Sequence, residues 1–358
     1  MTKFSVISAS ELGADERATW HKLQQQNPLL ASPYFCPEFT LAVGAAREDV
    51  RICVMEEGRR ITGFFPFQRG RLGAGRPVGG MLSDYQGAIA EPDATWDVER
   101  LLSACGLGFW QFDHLIVGQK PFEKYAHSRS ISPIVDVSAG FAEYRASRRR
   151  AGSSRIGQLE RKANKLAREV GPLRFEAHCV DAQVLAQVFA GKSEQCRRTG
   201  VIDYFALPWT RALVERVLDT QLPHFQGMMS ALYAGEQLVA AHVGMRSTRV
   251  WHWWFPVYVA AFGRYSPGGI LLLKLAEDAA ARGLEYVDLG KGDDSYKAAF
   301  HNRAIMLAEG RAARRSLGTA LHDLGNGLER RLRASSLIEP VRPALRGVKQ
   351  WMRQRSYA

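Results

Sequence analysis

Two ten-residue stretches half a chain apart follow one pattern. Residues 56–65 read EEGRRITGFF and residues 233–242 read YAGEQLVAAH. Each has a glycine, two polar residues, an aliphatic residue, one more position and then a small residue (Gly63, Ala240). The two glycines, Gly58 and Gly235, stand 177 positions apart. Both stretches lie between runs of strand-forming residues, so each predicts a tight hairpin, 50–55 with 60–69 and 228–233 with 238–246. A hairpin repeated in the same strand–hairpin–strand surroundings predicts two copies of one fold. A chain of 358 residues is long enough to give each copy its own core.

The stretches around the hairpins fit that division. A strand at 4–8, helices at 11–25 and 33–46, the first hairpin, a strand at 77–90 interrupted by Ser83, Asp84, Tyr85 and Gln86, a helix at 96–104 and strands at 109–117 and 131–137 make an N-terminal unit, 1–138. Residues 139–171 read as a basic helical linker, broken at Gly152, Ser153 and Ser154. A strand at 173–180, helices at 182–199 and 208–218, the second hairpin and an aromatic strand at 249–257 open a second unit, 172–310. Residues 311–358 read as two basic helices split by Pro340 and Pro343. The expected fold class is α/β (α+β): two tandem domains, each a mixed central sheet flanked by helices, with a helical C-terminal extension.

Charge is concentrated rather than spread. The net charge is +12, yet residues 145–174 carry ten Lys/Arg against two Glu, and residues 311–358 carry eleven against three acids. Such blocks suit a specific anionic partner, and equally the solvated faces of helices. Val341, Leu345, Val348 and Met352 line up beside Arg342, Arg346, Lys349 and Arg353, which fits packing on the domain or peripheral contact with an anionic membrane at its inner face. The five cysteines are odd in number and no two are closer than 17 residues, so neither a zinc motif nor a redox pair is expected, and no metal. That cysteine usage, a start without an apolar signal core and the lack of any run near the ~18 apolar residues of a spanning helix point to a cytoplasmic chain.

Chemistry concentrates in residues 262–300. A loop with Arg264, Ser266, Pro267, Gly268 and Gly269 feeds a helix expected at 269–282, which Gly283 ends. The first-turn N–H groups of such a helix, here including those of Ile270 and Leu271, point outward and favour an anion such as a pyrophosphate, with Arg264 adding charge. A short apolar strand, 285–289, follows and holds one acid, Asp288. A lone carboxylate in an apolar strand needs a partner or a task. It is read as a general base, or as the ion-pair partner of Lys297 or Arg264. His242, at the end of the second hairpin, is a second candidate base or a satisfied core residue. Lys297 is placed to face phosphate or an acid. Asp84, Tyr85, His252, Trp254 and Tyr296 are the candidate acceptor-binding residues; Trp251, Trp253, Trp254 and Phe255 read more readily as core than as a sugar platform.

The arrangement SPGGILLLKLAEDAAARGLEYVDLGKGDDSYK at 266–297 resembles the C-terminal signature of the BioF2-like or CelD-like acyltransferases of the GNAT (Gcn5-related N-acetyltransferase) superfamily, relatives of the FemABX aminoacyl-transferases. Residues 31–35, 63–67 and 83–85 are similar to that family's N-terminal half, 159–171 to its linker helix and LVAAHVGMR to its core hairpin. The resemblance implies two tandem GNAT folds. It implies transfer of an acyl group, normally acetyl, from acyl-CoA to an amine or hydroxyl of a sugar, polysaccharide precursor or other envelope-related molecule, often in exopolysaccharide biosynthesis. The resemblance implies no metal. An aminoacyl-tRNA donor is the alternative within the superfamily, and a non-enzymatic protein binding nucleic acid or membrane the alternative outside it. One departure stands out: the loop has Pro267 where the family's pyrophosphate loop has a glycine, and proline has no N–H to donate.

Overall fold

The computed structural model describes residues 2–292 and 295–314. Fourteen strands form among them: β1 (Lys3–Ser8), β2 (Val50–Glu57), β3 (Arg60–Arg69), β4 (Ala74–Arg76), β5 (Ile89–Ala90), β6 (Phe109–Ile116), β7 (Ala126–Asp136), β8 (Leu173–Glu176), β9 (Gln221–Leu222), β10 (Phe225–Ala234), β11 (Gln237–Arg246), β12 (Val250–Tyr258), β13 (Tyr286–Asp288) and β14 (Arg303–Ala313). They join in one continuous mixed sheet, in the order β1-β2-β3-β4-β6-β14-β7-β13-β12-β11-β10-β8, with β5 on β3 and β9 on β10. The two expected hairpins occupy matching places, β2–β3 and β10–β11, and both are antiparallel. Gly58 and Gly235 turn the chain in both with φ of 64° and 56°, a conformation that costs glycine nothing.

Between the hairpins the two halves interleave. Strand β14, from the end of the chain, lies between β6 and β7 and pairs antiparallel with both. Strand β7 then pairs with β13, which runs parallel to β12. The sheet therefore passes across residue 138 without a break. Residues 303–313 alternate weakly and are rich in alanine, which hid this strand; Leu307, Ala308, Gly310 and Ala312 are nonetheless buried. It runs to Ala313, so the first residues expected to be helical tail are strand. The rest of that tail lies outside the described residues. The expected strand at 77–90 is instead a short helical turn at Gly80–Leu82 followed by β5.

Helices cover the sheet: α1 (Ala14–Gln26), α2 (Pro37–Ala46), α3 (Val98–Ala104), α4 (Lys120–Glu123), α5 (Phe141–Arg150), α6 (Arg155–Glu169), α7 (Ala182–Thr199), α8 (Pro208–Asp219), α9 (Pro267–Ala281) and α10 (Ser295–Phe300). The basic helix α6 has an apolar stripe at helical spacing: Ile156, Leu159 and Leu166 are buried, against the same core as α9. Leu159 lies so close that a Cβ on Gly269 would stand 2.9 Å from its Cδ2. Gly269 is thus where two helices meet. None of the helices among the described residues is long and apolar enough to cross a membrane.

Candidate active site

The parallel pairing of β12 and β13 is short. Val250, Trp251 and His252 pair with Tyr286, Val287 and Asp288, and there β13 ends while β12 runs on to Tyr258. At this parting point the polar residues of both halves converge. Asp288 is fully buried, and three donors meet its carboxylate: the Tyr85 hydroxyl, the Ser132 hydroxyl at 2.7 Å and the Gly290 N–H at 2.8 Å. Burial and the nearby Asp288 charge push the Tyr85 phenol well above its ordinary pKa, so it stays a neutral donor. His252 is fully buried as well. Its Nε2 donates to Asp84 Oδ2 at 2.8 Å, and its Nδ1 faces Asp288 Oδ1 at 3.6 Å. The Tyr34 ring meets the imidazole edge-on, 4.9 Å between centroids.

Asp84 is the member of this network that reaches outward, its side chain 25% exposed. Burial works to raise its carboxyl, but the hydrogen bond and charge of His252, with the charges of His114 and Lys297, outweigh it and hold Asp84 below the usual carboxylate value. His114 Nε2 stands 3.8 Å away and its Nδ1 bonds Asp113 at 2.9 Å. Gly290 closes the other side with φ 74°; a Cβ there would come within 2.9 Å of Asp84 Oδ2. Lys297, buried, donates to the carbonyls of Gly290 at 3.1 Å and Lys291 at 2.8 Å and so clamps the turn after β13.

The polar interruption Ser83–Gln86 is thereby explained. Tyr85 reaches Asp288, Asp84 reaches His252, and the Gln86 side chain bonds the backbone of Asp113 and His114. Trp254, largely buried, donates its indole N–H to the Leu82 carbonyl. His242 lies in the core next to His252, whose charge adds to the effect of burial. It stacks on Trp253 at 4.3 Å, its Nε2 accepts the Trp254 N–H, and burial pushes its pKa well below the usual histidine value. Tyr296 is exposed at the start of α10.

The loop before α9 is a separate cluster beside α6. Ser266 adopts φ 56°, ψ 51°, and its hydroxyl accepts from Lys162 at 2.8 Å. The N–H groups of Gly269 and Ile270 both return to the Ser266 carbonyl, whereas that of Gly268 meets no backbone carbonyl among the described residues. Arg264 lies over the Tyr265 ring with Glu169 at 3.5 Å, and its guanidinium is 71% exposed.

Four residues escaped sequence reading. Ser132 and His114 carry no local signal, and Tyr34 stands out only as part of the family-like stretch 31–35. Lys192 carries one: it follows Val184 and Val188 at four-residue spacing on the buried stripe of α7. Burial first, then the charge of Lys297, pushes its amine down to about 8. Two cavities of about 260 and 250 Å³ do not include Asp84, His252 or Lys297 in their walls, whereas a small one of about 20 Å³ is lined in part by Tyr34, Ser83, Tyr85 and Gln86.

Residues 153–298 match the family model described as an acetyltransferase (GNAT) domain. That segment of the chain is similar to a GNAT acetyltransferase domain. Its enzyme class is that of a GNAT-type acyltransferase. The comparison with curated proteins finds no match. Among solved structures, FemX is 9% identical with a TM-score of 0.57, covering 86% of this chain and 98% of FemX. A tandem GNAT protein from the clavulanic acid biosynthesis pathway is 11% identical with a TM-score of 0.50, covering 87% of this chain and 98% of its own. L-PGS from Bacillus licheniformis is 12% identical with a TM-score of 0.50, covering 86% and 94%. At these identities the likeness is one of fold: two GNAT-like halves in tandem. The matched segment takes in α6, the loop before α9, β13 and most of α10, that is, the loop cluster and the strand that carries Asp288.

Proposed function

We propose that the chain transfers an acyl group, with acetyl as the preferred size, from acyl-CoA to an amine or hydroxyl of a sugar or polysaccharide precursor, as the BioF2-like and CelD-like resemblance implies. The observation that carries this reading is the parting of β12 from β13 beside the partly exposed Asp84. Past His252 the β12 backbone has no β13 partner, so its N–H groups on that side are available to a thioester carbonyl. Gly268, Ser266, Lys162 and Arg264 supply one N–H, a hydroxyl and two cations for the CoA phosphates. Pro267 removes one donor from that set, and Lys162 brings charge to the same loop.

In this reading the acceptor nitrogen or oxygen lies against Asp84 and attacks the thioester carbonyl. The C–S bond breaks, and its electron pair leaves on sulfur. The proton of the acceptor goes to Asp84. A carboxylate held below its usual pKa is adequate here, because an attacking amine becomes strongly acidic once it bonds the carbonyl. His252 keeps Asp84 anionic and oriented. The departing thiolate takes up a proton; Lys192, whose amine is pushed down to about 8 and bonds Gln195 at 3.0 Å, is the candidate source of it. Asp288 and His242 are positioning residues, for the first has its donors in place and the second is spent on Trp254.

Titration calorimetry with acetyl-CoA and longer acyl-CoAs, followed by thiol release with a panel of amino and neutral sugars, tests the proposal. Asp84→Asn is expected to keep CoA binding and to lower kcat about 100-fold or more. No binding of any acyl-CoA at millimolar concentration refutes it. One observation favours a second reading: the donor loop adjoins the basic helix α6, whose Lys162 touches Ser266. An aminoacyl-tRNA donor, as the FemABX resemblance implies, would then show tRNA binding that weakens steeply with salt.

A further inference from the structure

A second polar cluster lies outside the acyl-transfer site. His21 on α1 and Glu38 in the first turn of α2 meet His224, in the turn before β10. His21 Nε2 and His224 Nε2 each stand 3.0 Å from the same oxygen, Glu38 Oε1. The two imidazoles face each other edge-on with centroids 3.9 Å apart. All three ligand atoms lie within 4.8 Å of one another.

Hydrogen bonding alone uses this cluster poorly. Both histidines crowd one carboxylate oxygen, while Glu38 Oε2 and His21 Nδ1 are buried without a partner among the described residues. The Glu38 side chain is 9% exposed, so its idle oxygen is shut away from solvent. Buried acceptors are seldom left idle. Ligands held 2.0–2.1 Å from a tetrahedral ion are about 3.3 Å apart, close to the 3.0 Å from each histidine Nε2 to Glu38 Oε1. Two imidazoles with one carboxylate suit a borderline cation, zinc first, and suit calcium or magnesium badly because oxygen ligands are too few. A cavity of about 250 Å³, lined in part by Gln24, Ala31, His224 and Ser247, opens beside His224 and can hold a water as fourth ligand.

We propose that His21, Glu38 and His224 bind a zinc ion that ties the first two helices to the C-terminal half. The ligands come from both halves, so binding links elements that the sequence separates by 186 residues between Glu38 and His224. Sequence spacing shows nothing of this, because no two of the three stand at a zinc-motif interval.

The full-length chain, stripped with chelator, is titrated with zinc chloride by calorimetry and melted with and without zinc. One equivalent should bind, and the melting midpoint should rise. His21→Gln and His224→Gln should each weaken binding at least about 100-fold and abolish the rise, since even loss of a residue that merely supports a ligand costs 10–100-fold. Circular dichroism of the metal-free variants establishes that they fold. Cobalt in place of zinc should show ligand-field absorption without a thiolate charge-transfer band, which excludes the cysteines. Absence of stoichiometric zinc uptake, or uptake equal in wild type and both folded variants, overturns the proposal and leaves a histidine–carboxylate hydrogen-bond cluster.

Discussion

Asp288→Asn separates an anchoring carboxylate from a catalytic one. In the native structure the carboxylate accepts from Tyr85, Ser132 and Gly290. Asparagine keeps the shape but has one acceptor oxygen. Set at the Oδ1 position, that oxygen retains the Ser132 and Gly290 bonds. The amide NH₂ then faces the Tyr85 hydroxyl, which must turn to accept and leaves its own proton without a partner. A hydrogen bond to a charged group contributes about 1.5–3 kcal/mol and a neutral one about 0.5–1.5. The loss is thus about 1 kcal/mol for each of three bonds, partly offset because a neutral amide is cheaper to bury than a carboxylate. The expected net destabilisation is about 2–3 kcal/mol, or about 4 °C in melting midpoint for a chain of this size. Urea unfolding followed by tryptophan fluorescence measures the first and calorimetry the second. Should Asp288→Asn unfold within about 0.5 kcal/mol of wild type while turnover vanishes, the anchoring role is wrong and Asp288 is the base.

Three further outcomes are expected. His242 is neutral when folded and has a depressed pKa, so the unfolded chain binds the extra proton below pH ~6.5. Its contribution is complete above that pH and is lost on acidification, at up to about 1.4 kcal/mol per pH unit; His242→Gln should flatten unfolding free energy against pH over that window. Lys192→Met should remove an inflection near pH 8 from the kcat profile while leaving acyl-CoA affinity unchanged, and an unaltered profile would exclude Lys192 from proton transfer. Gly290→Ala forces a side chain into φ 74° and against Asp84, costing about 1–2 kcal/mol of stability; acyl transfer should fall further than that loss explains, and equal activity at equal folded fraction would show that the Gly290 contact does not position Asp84.

Much of the architecture was legible because it is local. Turn glycines at 58 and 235, the apolar stripe of α6 and the break between α5 and α6 depend on neighbours a few residues away. Periodicity and turn chemistry report such features directly. Strand β14 escaped because its alanines and glycine carry little strand preference, and burial between β6 and β7 outweighs it.

The sequence by itself determined that the chain holds two related halves, that 266–297 forms a loop, helix and strand, and that Asp84, Tyr85, His252 and Asp288 are out of place as ordinary strand residues. Tertiary structure alone decided how those residues meet. A buried carboxylate with three donors and an imidazole bonded to a partly exposed aspartate are relations between groups as far as 203 positions apart, Tyr85 and Asp288. Hydrogen bonds form through space, and only the folded sheet, with strands of both halves interleaved, brings the donors of one half within 3 Å of the acceptors of the other.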